Sequence, residues 1–410
     1  MSEPTHLERA QALVRDVNKD AGTDPLRIGI ITPLSEPGDA TAGELVTRGA
    51  CLGVEYVREH GGARDNRQIE LVLYDDQATA RTEGMFRSAA GQMAKLALVD
   101  EVVAAMGQWH LRTTPWVVDI ATKYDVPIFV ENGYSEITAQ KRRNVFRSYF
   151  SVEDRVPLML DFAAELGIRK VGMVCADTAF GLHTGNSLES YGSTEHDMEF
   201  CRFDFEQDGK TDFAALLGGI RDYGPDLLIN GGVIRTNYQI FGAAAEAGLL
   251  PGTPLMVPFS YPLRSNDFWR STGDSGVGTM WPAMQYRPSW PGMTDIGRWF
   301  TERYRERYGD FPPDTALTHF TDVTIVAAAS RAARSAERED LIDALEAMEF
   351  ATWRGPIRYE RGPAHWHHCC PELVLLQYQK RDQGFDESAI IYPPDKVTAE
   401  YLPPAAMDTV

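Results

Sequence analysis

The densest run of metal-ligand and nucleophile residue types in this 410-residue chain is His365-Trp366-His367-His368-Cys369-Cys370. A transition-metal site needs side chains that converge on one point, whereas neighbouring residues of an extended segment point to opposite faces. The five cysteines are an odd number, and no two of them are spaced as C-x-x-C. We therefore predict no bound metal and no disulfide framework, with Cys51 and Cys175 as buried, reduced side chains.

Motifs of the common catalytic and nucleotide-binding sites are absent from the sequence. The turn after the first predicted strand reads Thr32-Pro33-Leu34-Ser35, where a dinucleotide site would carry G-x-G-x-x-G. The chain also lacks G-x-x-x-x-G-K-[ST], H-E-x-x-H and G-x-S-x-G. We therefore predict no cofactor, no catalytic residues and no enzyme activity, although a triad assembled from distant segments would leave no contiguous trace.

Charge and hydropathy narrow the classes of partner. The chain has 40 Lys and Arg against 59 Asp and Glu, a formal charge of −19, which disfavours nucleic acid as a partner. No window reaches the ~18 apolar residues of a membrane span, so we predict no membrane insertion. The first residues do not have the pattern of an export signal. We expect a cytoplasmic protein if the chain is complete as given, and a periplasmic or extracytoplasmic one if a signal was removed.

The elements that would position a site follow a regular alternation. A polar helix is predicted over 5–20, capped by Thr5, within an N-terminal helical extension over 1–25. Apolar runs then alternate with amphipathic helices from Leu26 to about 147, and the same rhythm restarts and continues to Pro258. Such alternation predicts right-handed βαβ crossovers around parallel sheets, hence two α/β domains. Helices follow over 294–308, 315–333 and 341–348, and the tail from 354 is strand-like.

Seven segments in order resemble the type I periplasmic binding proteins of the leucine/isoleucine/valine-binding class. These segments are Arg27–Ser35, Arg48–Ala50, Ile69–Gln77, Val126–Ile128, Asn144–Arg147, Thr211–Phe213 and Gly355–Arg358. The resemblance covers about 26 to 380. It implies two doubly wound parallel-sheet α/β lobes joined by a three-segment hinge, with a small ligand trapped between them. Lobe 1 would be 26–147 plus 279–351, and lobe 2 would be 148–278 plus 352–410.

The resemblance also implies where the ligand binds. In this family, loops after the third and fourth strands of the first lobe hold the ligand's carboxylate, and a turn with an aromatic residue belongs to the second lobe. The corresponding positions here predict the ligand-binding residues Ser35, Trp109, His110, Leu111, Asn132, Gly133, Tyr134, Phe180, Arg235, Ser260 and Tyr261.

This chain departs from the family pattern at two places. The family's serine is missing from Gly107–Arg112, where Trp109 and His110 add aromatic area and a directed hydrogen-bonding group. The family's acid, which pairs with an amino-acid ammonium, is missing from Pro258–Arg264. Because an unpaired buried ammonium costs several kcal/mol, the sequence favours an amide, a urea-like solute or an organic acid over an ordinary amino acid.

Two functions fit this resemblance. The first is the solute receptor of a branched-chain-amino-acid-type ABC transporter, binding an amino-acid-like, amide or organic-acid ligand, with a membrane permease as partner. The second is a cytoplasmic sensor of the amide-receptor type, with a regulatory protein as partner. An enzyme is the third and least supported alternative.

Overall fold

The computed structural model describes residues 4–35, 39–77, 84–131, 133–207, 209–233, 235–260, 263 and 267–404. The chain divides into two compact units, Met1–Ser151 with Pro288–Pro371 and Val152–Arg287 with Glu372–Val410, and therefore passes between them three times. The predicted fold class, two α/β lobes with parallel sheets, is confirmed.

The elements have the following bounds. The strands are β1 (Leu26–Thr32), β2 (Ile69–Asp75), β3 (Ala104–Gln108), β4 (Ile128–Val130), β5 (Val145–Phe146), β6 (Lys170–Ala176), β7 (Glu199–Phe205), β8 (Leu227–Gly231), β9 (Leu255–Met256), β10 (Met280–Met284), β11 (Glu349–Thr352), β12 (Gly355–Arg358), β13 (Leu373–Gln377) and β14 (Ala389–Tyr392). The helices are α1 (His6–Asn18), α2 (Ala40–Glu59), α3 (Gly84–Leu98), α4 (Thr114–Lys123), α5 (Glu136–Ala139), α6 (Val152–Glu165), α7 (Ala179–His196), α8 (Phe213–Tyr223), α9 (Arg235–Glu246), α10 (Phe268–Thr272), α11 (Asp295–Tyr308), α12 (Asp314–Ala332) and α13 (Arg338–Ala347).

The first unit is built on a parallel sheet with the strand order β2-β1-β3-β4-β5. Continuous apolar runs such as Ile28–Ile31 form its strands, because helices cover both faces of a parallel sheet. Helix α12 is buried along most of its length and crosses α2 at close range. A Cβ at Gly49 of α2 would lie 2.0 Å from the carbonyl oxygen of Ala316, so only glycine fits this crossing.

The second unit repeats this arrangement. Its sheet has the order β14-β13-β10-β9-β8-β6-β7, in which β6 to β10 are parallel and β13 and β14 are antiparallel. Counted from β6, the five parallel strands have the same order, 2-1-3-4-5, as those of the first unit. Side chains from α6, β6 and β8 form its core, including Val156, Val171 and Ile229.

The unit boundaries differ from the lobe boundaries that the sequence predicted. The crossings follow Ser151, Arg287 and Pro371, where we expected 147, 278 and 351. Strand β10, which the sequence did not indicate, pairs with β9 and β13 and so lies in the second unit. Strand β10 contains Pro282, and a proline argues against a central strand because it cannot donate a backbone hydrogen bond to the sheet. The neighbouring strand β9 has only two residues and pairs with β10 at Met280 alone. The β11–β12 hairpin lies in the first unit.

The N-terminal helix α1 is part of the first unit. The Thr5 side chain accepts a hydrogen bond from the Glu8 backbone N–H at 3.2 Å, and the Glu8 carboxylate accepts one from the Thr5 N–H at 2.8 Å, which forms a capping box. Val14 and Val17 join the apolar core of the unit. The predicted cap and helix are therefore confirmed.

Asn18, the last residue of α1, holds the helix against the edge of the sheet. Its Nδ2 donates to the Leu71 carbonyl at 2.9 Å, and its Oδ1 accepts from the Leu71 N–H at 3.0 Å. The side chain thus occupies the hydrogen-bonding groups that an edge strand would otherwise leave open at this position of β2.

Replacing Asn18 by alanine should lower the free energy of unfolding by about 1–2 kcal/mol, because both bonds to Leu71 are lost. Urea denaturation of Asn18→Ala and wild type measures this difference. The matched control is Lys19→Ala, which removes an exposed ion pair with Asp16 and should have a much smaller effect on the free energy of unfolding. Equal effects of the two substitutions would show that the bonds to Leu71 do not hold α1 in place.

Candidate functional site

In the first unit, the strand order predicts where a ligand would bind. The connections from β1 and β3 run to opposite sides of the sheet, so the carboxyl ends of these two adjacent strands flank a crevice. Ser35 follows β1, and Trp109 and His110 follow β3. The structure therefore brings three of the predicted site residues to the two strand ends that border this crevice.

His110 is held in place by a buried carboxylate. Its Nδ1 lies 2.8 Å from Oδ2 of Asp76, the residue after β2, and Asp76 is only 3% exposed. Burial lowers the pKa of His110, but the hydrogen bond to Asp76 and the charges of Asp76, Asp39 and Asp75 outweigh it and leave the pKa raised. The raised pKa favours the imidazolium form of His110, in which both ring nitrogens are hydrogen-bond donors.

The backbone around His110 is equally constrained. Gly107 has φ +96°, and a Cβ there would lie 2.9 Å from the Ile31 carbonyl oxygen of β1. Only glycine accommodates both the left-handed backbone and this close approach. The His110 carbonyl accepts hydrogen bonds from the hydroxyls of Thr113 and Thr114 at 3.1 and 2.9 Å. His110 is thus fixed at the start of α4, and Leu111 beside it is buried.

Ser35 is already engaged by the protein. Its hydroxyl donates to Oδ2 of Asp75, and the other carboxylate oxygen of Asp75 accepts from the backbone N–H groups of Leu34 and Gln77 at 3.0 and 3.1 Å. A hydroxyl whose proton is committed to Asp75 offers a ligand only its acceptor lone pairs. Ser35 is therefore not suited to donate to a ligand's carboxylate.

The loop after β4 is anchored by buried side chains at both ends. At its start, Oε1 of Glu131 accepts a hydrogen bond from the Thr315 hydroxyl of α12 at 2.8 Å. At its end, Nη2 of Arg147 donates to the Tyr134 carbonyl. Gly133 and Tyr134 are half-buried, and the predicted ligand residue Asn132 lies outside the described residues.

Glu131 lies beside buried titratable side chains of α12. Burial, the hydrogen bond from Thr315 and the charges of Asp322 and Asp314 together leave the pKa of Glu131 well above its usual value, burial being the largest effect. Burial lowers the pKa of His319 to about 4, and it raises the pKa of Asp322 to about 7 although Ser148 donates a hydrogen bond to it. These pKa shifts favour the uncharged forms of Glu131 and His319.

In the second unit, the equivalent crevice lies between the carboxyl ends of β6 and β8. Phe180 stands in the first turn of α7, which follows β6. The Thr178 side chain caps that helix by accepting from the Gly181 N–H at 3.0 Å. A Cβ at Gly181 would lie 2.1 Å from the Ala176 carbonyl oxygen, so glycine lets the helix start close to the strand end. The Thr178 cap and the close approach of Gly181 to Ala176 thereby fix the backbone at Phe180.

Arg155 of α6 is a component that the sequence did not lead us to predict. Its guanidinium lies 5.1 Å from the centre of the Phe180 ring, and the Phe259 ring meets Phe180 edge to face at 5.5 Å. Arg155 is 4% exposed and occupies the apolar stripe of α6 with Val152, Val156 and Met159. An arginine on the apolar face of an amphipathic helix was the signal that could have found it.

The remaining predicted residues of the second unit are less well defined. Ser260 is buried and follows β9, in the second-unit loop where we expected it. Tyr261 lies outside the described residues, as does Arg264. Arg235 begins α9, and its side chain lies outside the described part of the chain.

The histidine and cysteine run contacts protein groups of the first unit. His367 is fully buried, with Nδ1 3.0 Å from the Val145 carbonyl and Nε2 3.0 Å from Glu346. His365 lies 3.1 Å from the Thr138 hydroxyl. Arg354 donates at 2.8 Å to the backbone carbonyl of Cys369 and at 3.3 Å to its sulfur. All five cysteines are free thiols, and Cys51 and Cys175 are buried as predicted.

None of the helices in the described ranges is both long and apolar enough to cross a lipid bilayer. No curated protein matches the chain in sequence. Several solved structures share its fold. The leucine-binding protein LivK of Thermotoga maritima is 19% identical, with a TM-score of 0.73, and the match covers 91% of this chain and 100% of that one.

Two further structures were solved with ligands. The branched-chain amino acid substrate-binding protein LivJ of Streptococcus pneumoniae, in complex with isoleucine, is 18% identical over 90% of this chain and 100% of that one, with a TM-score of 0.73. A solute-binding protein of an R. palustris ABC transporter, in complex with benzoate, is 22% identical over 93% and 98%, with a TM-score of 0.72. At these identities the likeness establishes the fold.

The family follows from the sequence itself. The family described as "Periplasmic binding protein" matches residues 25–382, which is most of the chain and includes both units. The resemblance that the sequence indicated is therefore confirmed. This chain belongs to the periplasmic binding protein family.

Proposed function

We propose that this chain is the solute-binding component of an ABC transporter of the branched-chain-amino-acid type. The observation that carries the proposal is the repeated 2-1-3-4-5 strand order, which gives each unit a crevice at its strand ends. Family membership supports it, since family members bind ligands, and so do the transporter proteins that share the fold. Binding without turnover, and a permease as partner, are parts of the same proposal.

The polar groups at the strand ends favour a solute other than a zwitterionic amino acid. His110, hydrogen-bonded to Asp76, supplies a positively charged donor in the first unit. Arg155 supplies a cation beside the Phe180 ring in the second unit, and the Phe259 ring contacts Phe180. No acid stands in 258–264 to receive an ammonium group. We infer a flat organic acid, or the corresponding amide, as the ligand class, with Trp109, Tyr134, Phe180 and Ser260 among its contacts.

Two of the relatives support this ligand class, whereas LivJ was solved with isoleucine. One R. palustris protein of this fold was solved with benzoate, and a solute-binding protein of Rhodopseudomonas palustris BisB5 was solved with 3,4-dihydroxybenzoic acid. Both ligands join a carboxylate to an aromatic ring. A cationic side chain can bind the carboxylate of such a ligand through charge-assisted hydrogen bonds. A neighbouring aromatic side chain can pack against the ring of the ligand.

A thermal-shift comparison of benzoate, benzamide, leucine and isoleucine tests this proposal. A ligand present at 100 times its Kd should stabilise the protein by about 2.7 kcal/mol, and we expect this from benzoate or benzamide. Isothermal titration of the best ligand, followed by its recovery unchanged after long incubation, measures affinity and turnover. Leucine giving the largest shift would contradict the ligand class, and no shift with any of these or with other small solutes would contradict the binding function.

Replacing Asp76 by asparagine should lower the pKa of His110, because the carboxylate that stabilises the imidazolium is removed. Nitrogen-15 NMR of the histidine ring measures the midpoint in the ligand-free protein. Since the folded-state pKa of His110 is raised, its contribution to stability is full below the unfolded pKa of about 6.5 and is lost as pH rises through the folded value. Asp76→Asn should therefore destabilise the protein more at pH 5.5 than at pH 8.

The same variant tests the role of His110 in binding. Benzoate affinity should fall at pH 7 in Asp76→Asn and recover at pH 5.5, whereas the neutral isostere benzamide should show no such pH dependence. Asp222→Asn, at an exposed aspartate paired with Arg221, is the matched control and should behave as wild type. An unchanged His110 midpoint in Asp76→Asn would refute the pairing, and equal effects on benzoate and benzamide would exclude His110 as a partner of the carboxylate.

A further inference from the structure

Glu131 has features that the proposed function does not use. It follows β4 directly and begins the loop that carries Gly133 and Tyr134, yet its side chain points away from water, with 2% of its surface exposed. Its Oε1 accepts from the Thr315 hydroxyl at 2.8 Å. Its Oε2 is buried and has no hydrogen-bond partner among the described residues. Burying a carboxyl oxygen without a hydrogen bond lowers the stability of the fold, so the position of Glu131 at the start of this loop needs an explanation.

Among the described residues, His319 is the only basic side chain within ion-pair distance of Glu131. Of the charged side chains on α12, Asp314 and Asp322 would repel an ionised Glu131. His319 comes within 3.4 Å of Oε2, but its Nδ1 lies 2.8 Å from the Thr315 carbonyl, which is the acceptor for an Nδ1 proton. Burial lowers the pKa of His319 to about 4, and its Nε2 is buried without a hydrogen-bond partner among the described residues; both observations favour the neutral imidazole, which does not balance a carboxylate. Ser148 and Tyr359, which contact each other at 3.0 Å beside Asp322, add only hydroxyls.

The contact between Glu131 and Thr315 joins the loop after β4 to the start of α12. Thr315 belongs to the first turn of α12, and α12 is fixed by its close crossing with α2. At the other end of the loop, Arg147 holds the Tyr134 carbonyl, and the Ser135 carbonyl accepts from the Thr138 N–H at 3.1 Å. Both ends of the loop are thus tied to buried groups, one of them through Glu131.

We propose that Glu131 is a positioning residue of the solute site, and that it ties the loop after β4 to α12 as an uncharged carboxylic acid. The ligand does not touch it. Its neutral form keeps a hydrogen bond with Thr315 without placing a charge next to Asp314 and Asp322, so the loop that presents Gly133 and Tyr134 rests on a rigid helix. This inference rests on the proposed function for the statement that the loop binds solute, but its structural part is independent of any ligand.

Three variants test the inference. Glu131→Gln preserves the shape and the acceptor for Thr315 with no charge, Glu131→Ala removes both, and Thr315→Val removes only the donor. Glu302→Gln, the same substitution at an exposed glutamate of α11, is the matched control. Hydrogen exchange of the 133–139 segment in the ligand-free protein is the primary measurement, with α8 of the second unit as an internal reference.

Exchange in 133–139 should accelerate at least tenfold in Glu131→Ala and Thr315→Val and stay within about twofold of wild type in Glu131→Gln and Glu302→Gln, with α8 unchanged throughout. The infrared band of a protonated carboxyl group should be present in wild type at pH 7.5 and reduced in Glu131→Gln. Unchanged exchange in Thr315→Val, or no loss of the infrared band in Glu131→Gln, would overturn the inference. If Glu131→Ala does not fold, Thr315→Val carries the test.

Binding completes the test and separates the two proposals. With benzoate as probe, Kd should rise at least tenfold in Thr315→Val and stay within threefold of wild type in Glu131→Gln. If wild type does not bind benzoate, the proposed ligand class fails while the exchange and infrared results still decide the role of Glu131. If benzoate binds wild type and Thr315→Val equally, Glu131 does not position the solute site.

Discussion

The order of the parallel strands is the constraint on which the rest of the structure depends. A 2-1-3-4-5 order leaves two adjacent strand ends with connections leaving to opposite sides, and backbone groups at such ends are not covered by a crossing helix. Each unit has this arrangement, β1 with β3 and β6 with β8. The glycines that permit close approach at these ends, Gly107 and Gly181, follow from it, because the strand end and the next segment nearly touch. These close contacts fix the backbone next to the candidate residues His110 and Phe180.

The carboxyl groups at the strand ends of the first unit have two different kinds of surroundings. Backbone N–H groups and the Ser35 hydroxyl donate to Asp75, and Asp76 contacts the imidazole of His110. Glu131 accepts one hydrogen bond, from the Thr315 hydroxyl, and burial raises its pKa well above the usual value, which favours the protonated form. Asp76 and Glu131 differ in their neighbouring groups and not in their depth of burial, because both residues are less than a tenth exposed.

The sequence predicted the alternation of strands and helices and the family, because both depend on patterns within short segments of the chain. It did not predict β10, where Pro282 interrupts the apolar run, and the unit boundaries shifted with that strand. Nor did it find Arg155 or Glu131, whose roles arise from contacts with residues far along the chain, such as Thr315. Ser35 was correctly located at a strand end, but its hydroxyl is committed to Asp75, a pairing between segments that no local pattern encodes.

The net charge of −19 gives no guide to the sign of charge at the site. Many acids of the first unit serve as acceptors within the fold: Asp39 caps α2, and Glu44 contacts His6, Arg9 and Arg48. Their charges are compensated within a few ångströms, and beyond about 8–10 Å salt screens what remains. An anionic solute at the first unit would therefore respond mainly to the nearby charge of His110, which Asp76 holds in place, and not to the charge of the whole chain.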